Sequence, residues 1–490
     1  MTRSSLSERL KHHFLDHFGD SDCTYLSPVL AHALQDPHLV GVNETLASEL
    51  QLDANFTQQT ETLELLSGTR MANHIMPIAV VYSGHQFGVW AGQLGDGRAM
   101  TLGEISVADE LWDIQLKGAG TTPYSRFGDG RAVLRSSIRE YLCSEAMHAL
   151  KIPTTRALCL FDSSTPVYRE TVESAAILCR VARSHIRFGT FEHFYHRGQF
   201  DACKDVADYV LARHFSSWQK NDDRYLRLFR HVVTRTANTI AQWQAVGFAH
   251  GVMNTDNMSI LGDTLDYGPF GFVETYNPDF ICNHSDERGR YAFKNQPTIG
   301  LWNLNALATA FSALIPSQQL IEALQTYEGE YQSVYRQLMG AKLGLTNMIE
   351  CDDTLIDQLL ACLHTHKVDY CLFFRALCDY EVNTENTQIR DLFNTAADFD
   401  NWARQYDERL KREQTGNTER RNHMRSVNPK YILRNYMAQQ AITTAEQGDY
   451  SQVAYLLKLL QRPFDEHPDA QRFADHPPPW ASELSVSCSS

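Results

Sequence analysis

The chain has 490 residues, of which 43% are hydrophobic and 21% are charged. This composition is ordinary for a globular enzyme and excludes wholesale disorder. The formal net charge is −15, so no nucleic-acid partner held by bulk basicity is expected. The length allows about three domains at roughly 150 residues each.

No membrane span or secretory signal is predicted. The longest segments without Asp, Glu, Lys or Arg are 71–95 and 295–321, and polar residues interrupt both. The N-terminus lacks an apolar signal core and has the pattern of an amphipathic helix over Leu6–Phe18. We therefore expect a bacterial cytoplasmic protein with no membrane partner. A mitochondrial transit peptide remains the alternative, against which Glu8 and Asp16 argue.

Chain order suggests four regions. They are an N-terminal helical extension (1–70), a strand-containing lobe (71–195), a mainly helical lobe (196–345) and a C-terminal helical region with a tail (346–490). Strand composition occurs at Ile78–Tyr82, Leu111–Lys117 and Ala176–Arg183, and helical spacing at Ala132–Leu150, Leu355–Leu377 and Pro429–Leu460. This is the layout of an α+β protein with a kinase-like bilobed fold, small N-lobe first, but composition alone does not predict that fold; the motifs below do.

The first candidate motif is the glycine-rich stretch 92–98, GQLGDGR. Gly95 and Gly97 allow the backbone to approach a phosphate closely, and Arg98 adds positive charge. The stretch is neither a P-loop nor a dinucleotide fingerprint. On its own, a turn without a ligand is the commoner interpretation.

The second candidate is a lysine–glutamate pair. Lys117 closes a predicted strand, and Glu140 lies 23 positions later in the following helix. In protein kinases, a strand lysine binds nucleotide phosphates and is oriented by a glutamate of the next helix. The alternative is two unrelated surface charges.

The most informative segment is HGVMNTDN (250–257), followed by DYG (266–268). It matches the kinase pattern HRDxxxxN…DFG at the histidine, the asparagine and the metal-binding aspartate. Asn257 and Asp266 offer the oxygen ligands that Mg²⁺ prefers, and Mn²⁺ suits them too. Val252 replaces the usual catalytic Asp, but Asp256 is placed to accept a proton instead. These changes predict altered chemistry rather than lost chemistry.

Together these residues resemble the selenoprotein O family, kinase-like protein adenylyltransferases with pseudokinase motifs. The stretches that carry the resemblance are 82–99, 113–142, 180–194, 247–272 and 428–442, and they extend over nearly the whole chain. The resemblance implies an enzyme that transfers AMP from ATP to Ser, Thr or Tyr hydroxyls of proteins, with pyrophosphate as the leaving group. It further implies that the nucleotide is bound in the reverse sense to a kinase. We expect ATP and protein substrates as partners, and a monomer.

The resemblance also assigns residues. Gly95, Gly97 and Arg98 would contact the nucleotide, as would Asp129 and Gly130. Lys117 would bind phosphate while held by Glu140, and Arg180 and Arg187 would clamp the terminal phosphates. Asn257 and Asp266 would hold Mg²⁺, and Asp256 would be the proton acceptor.

A physical argument supports the arginine assignment. Pyrophosphate carries more charge than one phosphoryl group, so fixed guanidinium groups should favour its departure. Arg180, Arg183 and Arg187 form a dense basic cluster in an acidic chain. The alternative is a basic strand face paired with acidic residues.

Two further functions stay open at this stage. One is a kinase-like phosphotransferase in which Asp256 substitutes as base, and the other is a nucleotide-binding scaffold without catalysis. UTP is an alternative donor. Close histidine pairs, such as His193 with His196, lack a third ligand, so no dedicated zinc site is expected.

The eleven cysteines, an odd number without a CxxC pair, do not indicate a disulfide framework. Most are expected to be buried thiols in a reducing compartment. Cys488 differs because it lies in the C-terminal tail. We predict that it forms a disulfide with Cys282 under oxidising conditions, the alternative being an inert exposed thiol.

Overall fold

The computed structural model describes residues 5–21, 24–413 and 415–486. It is an α+β structure in which a large antiparallel sheet is followed by helices. The strands are β1 (Leu26–Pro28), β2 (His38–Val42), β3 (Ile78–Val80), β4 (His85–Gln86), β5 (Val89–Trp90), β6 (Ala99–Val107), β7 (Glu110–Lys117), β8 (Ala132–Val133), β9 (Arg156–Asp162), β10 (Pro166–Tyr168), β11 (Val172–Ala182), β12 (Phe248–Ala249) and β13 (Gly271–Phe272).

The helices follow in the same numbering. They are α1 (Leu6–Arg9), α2 (His13–Phe18), α3 (Glu44–Glu49), α4 (Thr60–Leu66), α5 (Leu134–Ala149), α6 (Phe188–His196), α7 (Phe200–His214), α8 (Arg224–Val246), α9 (Gln296–Phe311), α10 (Ser317–Leu324), α11 (Thr326–Lys342), α12 (Cys351–His366), α13 (Tyr370–Leu377), α14 (Thr387–Arg390), α15 (Ala396–Leu410), α16 (Asn417–Val427), α17 (Asn435–Ala445) and α18 (Ser451–Leu460). No helix among the described residues is long and apolar enough to cross a membrane.

The main sheet has the order β1-β3-β6-β7-β11-β9-β2, with β8 and β10 added beside β11. The three strands expected from composition are present as β3, β7 and β11. Strands β1 and β2, from the region expected to be helical, form the two ends of this order. The N-terminal segment therefore completes the sheet rather than forming a purely helical extension.

The register of β7 and β11 places two basic side chains on one face of the sheet. Lys117 lies opposite Leu178, and Gln115 lies opposite Arg180. Opposed residues, and residues two apart on a strand, share a face, so Lys117 and Arg180 do so as well. Helix α5 packs against β9 and β11 and brings Glu140 to these two cations.

The segment 250–270, which contains the HGVMNTDN and DYG motifs, is held by a helix and a short ribbon. Helix α8 ends at Gly247, whose φ of 78° suits a left-handed cap. The chain then forms the two-stranded ribbon of β12 and β13, with the segment 250–270 as its connection. The N–H group of His250 Nε2 donates to the carbonyl oxygen of Leu265 at 2.8 Å. This bond ties the start of the connection to the residue before Asp266.

The C-terminal helices return to the sheet. Helices α17 and α18 pack against α5, and α18 also packs against β2. A second hydrophobic cluster, formed mostly by residues 339–424, lies among the helices α11 to α16. The site elements are thus supported by segments from both ends of the chain.

Candidate active site

A cavity of about 630 Å³ lies where the glycine-rich stretch, the sheet and the segment 252–269 meet. Its lining includes most of the site residues expected from the sequence, which are Gly95, Gly97, Arg98, Lys117, Asp129, Gly130, Arg180, Arg187, Asp256, Asn257 and Asp266. Glu140 lies behind Lys117 instead. Basic side chains outnumber acidic ones in this lining, so the cavity suits an anionic ligand.

Glu140 holds two cations at the back of the cavity. Its Oε2 accepts a hydrogen bond from Lys117 Nζ, and its Oε1 accepts one from Arg180 Nε, both at 2.6 Å. Burial and the neighbouring Arg180 lower the pKa of Lys117 to about 8, although Glu140 acts in the opposite direction. Burial alone would raise the pKa of Glu140, but Arg180 and Lys117 hold it below its usual value. The carboxylate therefore orients both cations and stays ionised.

Asp266 is the second anion of this network. Its Oδ1 lies 2.7 Å from Arg180 Nη2, and its Oδ2 accepts a hydrogen bond from Arg187. Its φ of 56° is left-handed, a conformation that aspartate adopts more readily than bulky residues do. Burial would raise the pKa of Asp266, but Arg187, Arg180 and Lys117 keep it well below the usual value. These cations therefore favour the ionised form of Asp266.

Asn257 and Asp266 fit a divalent cation. Asn257 Nδ2 donates to the carbonyl oxygen of Val252 at 3.0 Å, which leaves the amide oxygen as the atom outside this bond. Both side chains line the cavity. No cluster of three or more His, Cys, Asp or Glu placed to hold a metal occurs within the described ranges. A pair of oxygen ligands suits Mg²⁺, which usually takes its other ligands from water and substrate phosphates.

Asp256, the residue before Asn257, is a nearly buried carboxyl group with 7% exposure. Its Oδ2 accepts a hydrogen bond from Gln86 Nε2 at 3.1 Å, and its Oδ1 has no hydrogen-bond partner among the described residues. Burial raises its pKa to about 6, against the opposing effects of Gln86 and Arg187. A carboxyl group with this pKa can accept a proton near neutral pH.

The glycine-rich stretch makes close backbone contacts that a side chain would block. A Cβ atom at Gly95, where φ is 137°, would lie 2.5 Å from Tyr124. One at Gly97 would lie 2.9 Å from the carbonyl oxygen of the same tyrosine. The neighbouring Arg98 reaches the cavity, and burial together with Arg180 lowers its pKa. The loop therefore adopts a conformation that needs glycine, beside fixed positive charge.

Asp129 is held at the outer rim of the cavity. Its carboxylate forms a two-bond ion pair with Arg169, at 2.8 and 3.0 Å, and the hydrogen bonds from Arg169 lower its pKa. The adjacent Gly130, with φ of 69°, approaches Gly120 so closely that a Cβ atom would lie 2.2 Å from the backbone.

The structure corrects one expectation and adds residues that the sequence did not single out. Arg183, which follows the end of β11, does not line the cavity; it lies near Asp263 and His231. Sequence reasoning missed several lining residues, namely Tyr82, Gln86, Arg126, Arg131 and Arg169. All of these except Arg169 lie within the stretches 82–99 and 113–142 that carry the family resemblance, whereas nothing near Arg169 in sequence points to it.

Of the two cysteines of the predicted disulfide, the structure describes Cys282. Cys282 is buried, and its Sγ would lie 2.7 Å from a Cβ atom placed on Gly251 of the segment 250–270. Cys488 lies outside the described residues. The last described part of the tail nevertheless approaches Cys282, because His284 N donates to the carbonyl oxygen of Val486 at 3.0 Å.

A strand lysine held by a helix glutamate, a cationic cavity and a carboxylate–amide pair define a nucleotide-dependent transferase. The chain matches the family described as Protein adenylyltransferase SelO over residues 8–461. It is 52% identical to Protein nucleotidyltransferase YdiU of Pectobacterium atrosepticum over 469 residues, or 95% of this chain and 96% of the relative. It is 51% identical to the protein of the same name from Myxococcus xanthus over 458 residues, or 93% and 94% of the two chains.

The chain therefore belongs to the protein adenylyltransferase SelO family, as the motifs indicated. It is a protein nucleotidyltransferase, and the expectation of an enzyme is confirmed.

Proposed function

We propose that the cavity binds ATP with the α-phosphate at the reaction centre and transfers AMP to Ser, Thr or Tyr hydroxyls of proteins. The observation that carries this proposal is that Asp256 shares one cavity with Lys117, Arg180 and Arg187. A proton acceptor and a group of phosphate-binding cations are the two components that the transfer needs.

In the proposed step, the α-phosphorus exchanges one oxygen partner for another. The acceptor hydroxyl gives its proton to Asp256 as its oxygen forms a bond to the α-phosphorus. The bond from that phosphorus to the bridging oxygen of the β-phosphate breaks, and pyrophosphate leaves with the electron pair. Arg180 and Arg187 stabilise the negative charge that grows on the leaving group. Lys117, held by Glu140, positions the phosphates.

Asn257 and Asp266 would hold Mg²⁺, with Mn²⁺ as a substitute. When bound, the metal neutralises phosphate charge. The ion pairs of Asp266 with Arg180 and Arg187 place phosphate-binding cations next to these ligands. A kinase-like bilobed arrangement is part of the same proposal, with the sheet and α5 as the smaller lobe. The order Lys117, Glu140, Asn257 and Asp266 along the chain supports it.

Labelled ATP tests the proposal. We expect label from α-³²P-ATP, and not from γ-³²P-ATP, to appear on protein in the presence of Mg²⁺. Asp266→Ala should abolish the labelling, and Asp256→Ala should reduce kcat by about 10²–10⁴-fold. Transfer of γ-label would instead support the phosphotransferase, and no transfer would support the scaffold. α-³²P-UTP in parallel shows which nucleotide is the better donor.

We further propose that Cys282 and Cys488 form a disulfide when oxidised. With hydrogen peroxide as oxidant, the two thiols lose two electrons and two protons, and two molecules of water form. The contact between His284 and Val486 supports the proposal. His284 is two positions after Cys282 in the chain, so the contact brings the described end of the tail close to Cys282. Peptide mapping without reductant should recover the linked peptides after oxidation; their consistent absence would contradict the proposal.

A further inference from the structure

A short hairpin formed by β4 and β5 covers the proposed base. Its strands pair His85 with Trp90 and Gln86 with Val89. Besides the bond from Gln86 to Asp256, the backbone N–H of His85 donates to Thr255 Oγ1 at 2.7 Å. The hairpin is therefore fixed to the chain segment that carries the base.

The tip of the hairpin is also fixed. The N–H of Phe87 lies within hydrogen-bonding distance of Asn254 Oδ1 at 3.1 Å and of Tyr291 Oη at 3.0 Å. The φ of Phe87 is 51°, a left-handed value that is strained for a bulky residue. Such strain persists only where the surrounding structure holds it, and it concentrates at functional positions.

The hairpin carries three exposed apolar side chains, of which Val89 and Trp90 point to opposite faces of β5. Phe87 is 40% exposed, Val89 is 70% exposed and Trp90 is 37% exposed. Three neighbouring apolar side chains left to solvent beside a reaction centre are unusual, because isolated exposed apolar residues are the norm. The reaction needs a second macromolecular substrate at this place, and an apolar patch there gives that substrate a surface to bury.

A second cavity, of about 560 Å³, adjoins the hairpin, and Phe87 lines both cavities. The other lining residues are Ser285, Asp286, Glu287, Arg288, Arg290, Asn295, Thr298 and Ile299. The hairpin and the wall of this second cavity are in contact, since a Cβ atom on Gly88 would lie 3.0 Å from Arg290 Cζ. A continuous path therefore leads from the base, past Phe87, to the outer cavity.

The outer cavity is lined by two arginines and two acids, and the arginines are the groups left to meet a ligand. Neither Arg288 nor Arg290 forms an ion pair with a carboxylate in the part of the chain that the structure describes. The guanidinium of Arg290 lies 4.8 Å from the centre of the Trp302 ring, and Arg288 is exposed. Asp286 uses both carboxylate oxygens to accept backbone N–H groups of residues 290 and 291. Glu287 is exposed and offers partial compensation.

We infer that Phe87 and Val89, together with Arg288 and Arg290, form the docking surface for the acceptor protein. The occupant is an extended segment with an apolar and an acidic residue flanking the modified hydroxyl. The apolar residue packs on the hairpin, the acidic residue pairs with the arginines, and the hydroxyl reaches Asp256. An extended segment is required because Asp256 is too deeply buried for a residue on a flat protein surface to reach. This inference rests on the proposed function.

The test uses synthetic peptides that contain a single serine flanked by Leu and Glu, by Ala, or by Leu and Lys. Val89→Asp is compared with Val172→Asp, a matched change of a valine that is 64% exposed on β11 and lines neither cavity. We expect Val89→Asp to raise KM for the Leu/Glu peptide about tenfold, with KM for ATP unchanged. Val172→Asp should leave both values as in the wild type. Thermal unfolding confirms that both variants are folded.

A charge reversal at Arg288 provides a second test of the inference. Arg288→Glu should remove the preference for the Leu/Glu peptide and favour the Leu/Lys peptide. The inference is overturned if the two valine variants behave alike, if Arg288→Glu keeps the wild-type preference, or if wild-type protein labels proteins but none of the peptides. If the variants lose only the labelling of their own chain, the surface binds a second copy of this chain. That result would also contradict the inference. If wild-type protein labels nothing from α-³²P-ATP, the proposed function itself has failed.

Discussion

Two aspartates ten positions apart acquire opposite acid–base character from their surroundings. Asp256 is buried and Asp266 is partly buried, and burial favours the neutral form of each. Asp266 faces Arg180, Arg187 and Lys117, which outweigh burial and keep it ionised. Asp256 receives a neutral amide from Gln86, so burial prevails. These contacts support the proposed division of Asp266 as anion and Asp256 as proton acceptor.

The pH dependence of transfer tests the role of Asp256. Its pKa of about 6 means that the group is protonated, and cannot act as base, below that value. We therefore expect kcat/KM to rise with pH through about 6 and to level off above it. A profile that stays flat from pH 5 to 8 would contradict the assignment.

Stability should move in the opposite direction. The folded protein binds the Asp256 proton more tightly than the unfolded chain does, so stability falls as pH rises from about 4 to about 6. Asp256→Asn removes this cost and keeps an acceptor for Gln86. At pH 7.5 we expect the free energy of unfolding to increase by roughly 1–3 kcal/mol while transfer is lost. Denaturant titration measures the change, and a less stable variant would argue against burial of an ionised carboxylate.

At the scale of elements, α5 and its neighbouring strands carry the site. The sequence predicted this helix at Ala132–Leu150 and the structure places it at Leu134–Ala149. Its apolar spacing was regular, and Pro153 follows shortly after its end. Because strand and helix were both predictable, the Lys117–Glu140 pair could be proposed before any coordinates. That ion pair is present at 2.6 Å.

Glu140→Gln should damage both stability and activity. The substitution leaves Lys117 and Arg180 buried with less anionic compensation, and breaking a buried pair in this way costs about 3–5 kcal/mol. Arg135→Ala, on the same helix, removes a more exposed pair with Glu173 and should cost less than about 1 kcal/mol. Urea unfolding compares the two variants. Equal effects would mean that the buried network does not stabilise the fold.

The β6–β7 turn and the boundary between α12 and α13 have no local sequence signal. The hairpin of β6 and β7 turns at Ala108 and Asp109, both with positive φ, rather than at the Asn-Gly typical of such turns. The pattern Leu355–Leu377 predicts one helix, but the structure has α12 and α13, separated at Lys367 with φ of 54°. A lysine in a position that glycine usually occupies gives no sequence signal. Tertiary packing decides these boundaries.

At the scale of the whole molecule, the site depends on contacts between remote segments. The motif residues were predictable because they follow one another in a known chemical order. Arg169 and Gln86 were not, since their roles arise from the folding of β10–β11 and of the β4–β5 hairpin next to the cavity. The exclusion of Arg183 was likewise out of reach, because it depends on where β11 ends and the chain leaves the sheet.

The packing of the C-terminal helices against the rest of the molecule can be tested by removing a buried ion pair. Arg434, which precedes α17, forms two bonds to Asp369, which caps α13, at 2.7 and 3.1 Å. Asp369→Asn keeps the cap but leaves the guanidinium without its nearest carboxylate, at a cost of about 3 kcal/mol. Asp379→Asn, at an exposed pair with Arg425, should cost less than about 1 kcal/mol. Thermal unfolding of both variants checks this, and a similar Tm would contradict it.

The central claim is that one cavity binds a nucleotide with its α-phosphate next to Asp256. A crystal structure with Mg²⁺ and a non-hydrolysable ATP analogue measures this directly. We predict that the α-phosphorus is the phosphorus nearest to Asp256, with Lys117, Asn257 and Asp266 around the same metal–nucleotide pair. A γ-phosphorus nearest to Asp256, as in a kinase, or a nucleotide bound elsewhere, would contradict the account.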